Sequence, residues 1–172
     1  MQYLHSRNFV HGNLHGVHPS LFTQSSNSRV FQANVLITST QTACLSGFGL
    51  AKIKHDALSQ STDQAAVRRN SEGQRRWMSP ERLAGKVTRK TDVWAFGMTA
   101  HEVLMGRPPF EGVDSKGVMR VLLGSKNTPV AGILERPGEE EVQRGYSMGV
   151  RRVLESCLNA APAGRLSFEA LK

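Results

Sequence analysis

Apolar residues recur at helical spacing in the second half of the chain and in short β-branched runs in the first. Val93, Phe96, Gly97, Ala100, Val103 and Leu104 follow Thr91-Asp92, which read as the cap of a helix, and Gly106 with Pro108-Pro109 ends it. Val93 to Met98 is apolar nearly all round, which predicts a helix in the centre of the domain. A second helix is expected over 114–124, with Val118, Met119, Val121 and Leu122. A third is expected at about 145–158, with Met148, Val153, Leu154, Cys157 and Leu158, and a last one starts near Ser167. A Gly/Pro/Glu-rich loop separates the second and third. At the other end, Met1 to Arg7 closes a helix with Leu4 pointing inward, and Phe9-Val10 begins a short strand. Residues 33–46 read as a small hairpin, Asn34-Val35-Leu36-Ile37 returning through Ala43-Cys44-Leu45, with Cys44 buried on it. Residues 17–32 and 54–73 are polar, without a period, and read as loop. No repeat or long linker splits the chain, so 1–172 is one domain, mainly α with a small β-hairpin.

Composition narrows this. With 39% hydrophobic and 21% charged residues the chain is globular rather than disordered or coiled-coil. No apolar run approaches the roughly 20 residues that span a bilayer. The first residues lack the basic-then-apolar pattern of a signal peptide, which points to the cytoplasm or nucleus. Two cysteines argue against a disulfide scaffold or a cysteine-ligated metal, and His5, His18, His55 and His101 have no metal-like spacing. The net charge of +8 brings polyanions into view. The basic residues cluster at Arg68-Arg69, Arg75-Arg76 and Arg82 to Lys90, with Trp77 the aromatic among them. They read as a solvated surface, and nucleic-acid binding ranks last among the functional readings. Arg68-Arg69-Asn70-Ser71 makes Ser71 a candidate phosphosite, with Arg75 and Arg76 as partners for the added charge.

Taken in order, the motifs resemble the protein kinase family, in its tyrosine-kinase-like Ser/Thr flavour. His11-Gly12-Asn13-Leu14-His15-Gly16 followed by Asn34-Val35-Leu36 is similar to the catalytic loop His-Arg-Asp-Leu-Lys-x-x-Asn-Val-Leu. Gly47-Phe48-Gly49 stands where Asp-Phe-Gly would, and Ser79-Pro80-Glu81 resembles Ala-Pro-Glu, making 47–81 activation-segment-like. Thr91 to Gly97 and Gly106 to Phe110 resemble the central helix of the C-terminal lobe and the loop after it. The resemblance implies structural roles for five residues. His11 packs under Phe48, Asp92 holds the catalytic-loop backbone, and Glu81 pairs with Arg165 as a buried ion pair.

The departures bear on activity. The catalytic base is an aspartate in the family and Asn13 here; an amide takes no proton at neutral pH, and losing a positioned base costs about 10²–10⁴ in rate. The principal Mg²⁺ ligand becomes Gly47, leaving Asn34 as the metal and cofactor position that survives, and one neutral amide is a poor site for a hard cation. The loop lysine becomes His15, at best half protonated near its ordinary pKa of about 6.5. The arginine beside the base becomes Gly12.

The chain opens shortly before the catalytic loop and contains no Gly-x-Gly-x-x-Gly, so the nucleotide-binding lobe is expected to be absent, and with it a cover for part of the apolar face of 93–105. Excising Val17 to Gln32 restores the family spacing, and Val and Gln codons can carry intron boundary dinucleotides; residues 17–32 thus read as a loop insert or a retained intron. The expectation is a kinase-like C-lobe fragment without catalysis, needing no cofactor although the family uses ATP and Mg²⁺. It would act as a binding or scaffold module for a protein partner through 47–81 or the helix at 114–124. The alternatives are a divergent Ser/Thr kinase within a longer product, an unstable truncated product, and a basic nucleic-acid binder.

Overall fold

The computed structural model describes residues 1–16, 34–53, 73–124, 136–143 and 145–171. Residues 17–32, read above as a loop insert or retained intron, Ser71, Arg68-Arg69 and most of the loop before residue 136 lie outside the described residues.

The chain runs α1 (Gln2–Ser6), β1 (Phe9–Val10), β2 (Val35–Ile37), β3 (Ala43–Leu45), β4 (Lys52–Ile53), α2 (Pro80–Leu83), α3 (Arg89–Met105), α4 (Ser115–Gly124), α5 (Glu139–Gln143) and α6 (Met148–Cys157). The strands form two antiparallel pairs. β2 and β3 make the expected hairpin, with Val35 opposite Leu45 and Ile37 opposite Ala43. β1 finds its partner in β4, Phe9 opposite Ile53, a long-range pairing that ties the start of the chain to the stretch after Phe48.

The central helix is α3, and most of its residues are buried on every side. Its cap lies earlier than Thr91-Asp92. Thr88 is the N-cap, and the Thr91 hydroxyl, at the third helical position, accepts the Thr88 N–H at 3.2 Å. Gly106 ends the helix in the left-handed conformation, φ 67°, and its N–H reaches the Glu102 carbonyl. The shorter helices follow the same logic: Ser79 caps α2, Asp114 Oδ1 accepts the Gly117 N–H at the start of α4, and Ser147 caps α6. That cap, after a left-handed Gly145, is why the third helix begins at 148 rather than 145.

Trp77, Val93, Trp94, Met98, Val118, Leu122, Cys157 and Leu158 form the main core, so α3, α4 and α6 meet there. Gly97 is the crossing point. A Cβ at that position would sit 2.8 Å from the Cys157 Cβ and 3.1 Å from Leu158 Cδ2. Arg76 straps the segment before α2 to the loop after α3, donating to the carbonyls of Pro109, Phe110 and Val113.

Several local expectations are corrected. On α1 the buried residue is His5, with Leu4 only half-buried, because His5 has a partner on α3. Cys44 lies on β3 but is exposed, since β2 and β3 bury little on either face; Leu36 and Ile37 are 50% and 63% exposed. Residues 168–171 form turns instead of a last helix. Phe168 is drawn onto His5 and Phe96, at ring distances of 5.1 and 5.4 Å, and this folds the segment back. On the face of 93–105 that was expected to lie open, Val103 is the strongly exposed large apolar side chain. Among the described residues no helix is long and apolar enough to cross a membrane.

Gly97→Ala should cost about 1–3 kcal/mol by overpacking against Cys157 and Leu158, outweighing the helix propensity gained; urea unfolding followed by tryptophan fluorescence measures it. His101 gives a second prediction. It is buried on α3 against the Tyr146 ring, its Nδ1 has no hydrogen-bond partner, and burial, with Arg107 nearby, pushes its pKa down to about 4. The unfolded chain takes up this proton near pH 6.5 and the folded chain only near 4. Stability should therefore fall as pH drops through that window, by on the order of 3 kcal/mol for this group. His101→Gln should flatten the pH dependence of the unfolding midpoint.

Candidate functional site

The loop 11–16 is held from below by α3. Asp92 Oδ2 accepts the His11 N–H at 2.8 Å and Oδ1 accepts the Gly12 N–H at 2.7 Å. His5 Nε2, from α1, lies 2.8 Å from the same Oδ2. Gly12 takes φ 72°, a left-handed conformation suited to glycine, and this turns both amides toward one carboxylate. His11 then reaches across to the turn before Phe48. Its Nε2–H donates to the Ser46 carbonyl at 2.8 Å, its Nδ1 accepts the Asn13 N–H, and its ring meets Phe48 edge-on at 4.9 Å.

Asn13, His15, Asn34 and Gly47, distant in sequence, converge above this clamp. The Asn34 N–H donates to the His15 carbonyl, and the Asn34 carbonyl accepts the Ser46 N–H. Asn34 Nδ2 donates to the Asn13 carbonyl at 2.6 Å and to His15 Nε2 at 3.1 Å. Gln74 Nε2 also donates to His15 Nε2, at 3.2 Å, while His15 Nδ1–H donates to the Gly16 carbonyl. Burial pushes the His15 pKa below the ordinary value; His11 adds to this and the Gly16 bond opposes it. An Nε2 that accepts two amide donors belongs to a neutral ring, so His15 falls short even of half protonation. A cavity of about 10 Å³, room for one water, remains between Gly12, Asn13, His15, Gln74, Trp77 and Arg82.

On the far side of α3, Arg165 pairs with Glu81 through two contacts of 2.5 and 2.9 Å. It also donates to the carbonyls of Asn159, Lys90 and Ala160 and lies 4.8 Å over the Trp94 ring. Both side chains are largely buried.

Two basic residues depart from the solvated reading. Arg82 is buried; desolvation lowers its pKa and Asp92 counters this. Its Nη1 lies 3.7 Å from where a Cβ on Gly12 would stand. Arg76 is partly buried and satisfied by carbonyls, so neither is free for a phosphate backbone. Gln74, His5 and Glu102, whose Oε2 accepts the Trp77 indole N–H at 2.9 Å, were not anticipated either. Each contacts a partner far away in sequence, and no local pattern signals it.

A family model described as protein tyrosine and serine/threonine kinase matches residues 28–172. The chain belongs to the protein kinase family. The match starts inside 17–32, so residues 11–16 lie outside it; there the Asp92 clamp holds the loop, and the His15–Asn34 backbone bond joins it to the start of the hairpin. Its kinase relatives include the serine/threonine-protein kinase KIC1 of Saccharomyces cerevisiae, 31% identical over 142 residues, covering 81% of this chain and 11% of that protein. The tyrosine-protein kinase transforming protein RYK of avian retrovirus RPL30 is 29% identical over all of this chain and 32% of its own length. The tyrosine-protein kinase receptor TYRO3 of Mus musculus is 28% identical over all of this chain and 16% of its own length. The chain thus spans at most about a third of these relatives, which include both serine/threonine and tyrosine kinases.

The family's Mg²⁺ position does not fit these residues. Position 47 has no side chain, so no carboxylate stands there, and the neutral Asn34 amide beside it is a poor ligand for a hard dication by itself. Among the described residues no group of three or more His, Cys, Asp or Glu side chains could hold a metal.

The ion pair makes a clean test. Glu81→Gln and Arg165→Met should each destabilise by about 3–5 kcal/mol, because each leaves one buried charge alone. The double variant should cost clearly less than their sum in a denaturant double-mutant cycle.

Proposed function

We propose that this chain is a kinase-family domain that does not transfer phosphate and acts as a binding or scaffold module. The observation that carries the reading is Asn13. Asp92, His11 and Asn34 hold the loop around it, which supports the resemblance that assigns position 13 the base's role. A neutral His15 in place of the lysine supports the same reading, as it offers no cation to a phosphoryl group. Segment 47–81 and the α4 region at 114–124 are the surfaces proposed for a protein partner. The two unpaired cysteines accord with a cytoplasmic or nuclear setting. No cofactor is required for such a role.

A second reading, a divergent kinase acting on protein hydroxyls within a longer product, draws on the intact fold elements. Asp92, the Glu81–Arg165 pair and Asn34 are all in place, and the relatives are named as kinases. Such a product would take ATP and Mg²⁺ as the family does.

Incubation with γ-labelled ATP, Mg²⁺ and generic protein substrates separates the two. No label above a protein-free blank is expected, and Asn13→Asp alone should restore none. Labelling by the unmodified chain that is lost in Asn13→Ala would overturn the proposal.

A further inference from the structure

We infer that the cavity between Asn13, Gln74 and Arg82 is a binding site for one ordered water molecule, which accepts from the buried Arg82 guanidinium and donates to Gln74 Oε1. Through it, loop 11–16, the segment before α2 and α2 itself share one small polar ligand. The site stands whether or not the chain transfers phosphate, since burial and hydrogen-bonding capacity alone define it.

Arg82 is only 6% exposed. Its backbone N–H donates to the Ser79 hydroxyl and its carbonyl accepts the Gly85 N–H, but its guanidinium makes no hydrogen bond to the described residues. Asp92 acts on it through charge, while the carboxylate oxygens accept from the His11 and Gly12 N–H groups. N–H donors taken out of bulk water without an acceptor are costly. Gln74 has the complementary need. His15 Nδ1–H donates to the Gly16 carbonyl, so His15 Nε2 is an acceptor and Gln74 must turn its NH₂ group toward it. That leaves Gln74 Oε1 facing elsewhere, and it is buried without a hydrogen-bond partner. Both residues line the cavity of about 10 Å³, the room that one water needs, and Trp77 and Met78 add apolar wall. The Asn13 carboxamide lines it too and forms no side-chain hydrogen bond to the described residues, which supplies a third polar partner. One small volume thus calls for an acceptor toward Arg82 and a donor toward Gln74, and water is both. A monoatomic anion would satisfy Arg82 but meet the Gln74 oxygen, with the Asp92 charge nearby. A small cation would meet the guanidinium. A bridging water is nearly as favourable as a direct hydrogen bond.

Water-selective NOE and ROE spectra of the isotope-labelled full chain test this, in mildly acidic buffer where amide exchange is slow. The amide protons of Asn13 and Gln74 should show cross-peaks to water of opposite sign in the two spectra, the signature of a water that stays bound while the protein tumbles. Absent peaks, or peaks of like sign, would overturn the site, and this wild-type result decides the question even where a variant fails to fold. Arg82→Met and Gln74→Met should each abolish the peak at Asn13; a peak that persists unchanged in both would place the water elsewhere and overturn the assignment. Thermal unfolding of the two variants and the double variant closes a cycle, in which the double variant should lose clearly less than the sum because the second change removes a bridge already broken. Additive losses would overturn the bridge. Chloride is the probe for the competing ligand: a saturable broadening of its NMR line by wild type that Arg82→Met removes would give the cavity to an anion and overturn the proposal.

Discussion

Asp92 is a carboxylate with almost no exposure, and it accepts from His11 N–H, Gly12 N–H and the neighbouring His5 ring. Burying such a charge is costly unless hydrogen bonds and a nearby cation compensate, and the Arg82 guanidinium supplies the cation. One side chain on a rigid helix thus fixes α1 and loop 11–16 together. Everything above follows: with His11 in place, its ring can hold Ser46 and Phe48, and with Asn13 and His15 in place, Asn34 has its acceptors.

The Glu81–Arg165 pair does the same for the other side of α3. Arg165 satisfies three carbonyls besides its carboxylate, so the chain that follows α6 is fastened to the first turn of the central helix. The two anchors share a design: a buried charge whose bonding capacity is largely filled by backbone groups, which fixes loop geometry more tightly than apolar contact can. The middle of α3 is less fully satisfied. His101 Nδ1 and Trp94 Nε1 are buried without hydrogen-bond partners, and apolar packing carries that stretch.

Legibility in the sequence tracked the range of the interaction. The all-round apolar run at 93–98 announced a central helix, and the β-branched run after Asn34 announced the hairpin, because both are local patterns. The structural roles of His11, Asp92, Glu81 and Arg165 were readable only through family resemblance, since their partners lie 35 to 84 positions away. Hydrophobicity points to Leu4 as the inward residue of α1 and cannot see the Asp92 contact that buries His5. The helix near Ser167 failed because two aromatic contacts outweigh a short stretch of helical propensity.

The hairpin carries a colloidal consequence. Among the described residues β2 pairs only with β3, so this sheet has two edges, and Leu36 and Ile37 stand open beside them. Such a ribbon is a template for edge-to-edge addition of another strand. What opposes it is the chain's surplus of positive charge, a repulsion between copies that acts over a Debye length and weakens as salt is added. Ionic strength therefore tunes how closely two such ribbons approach, dilute buffer keeping the copies apart and concentrated salt screening the repulsion between them.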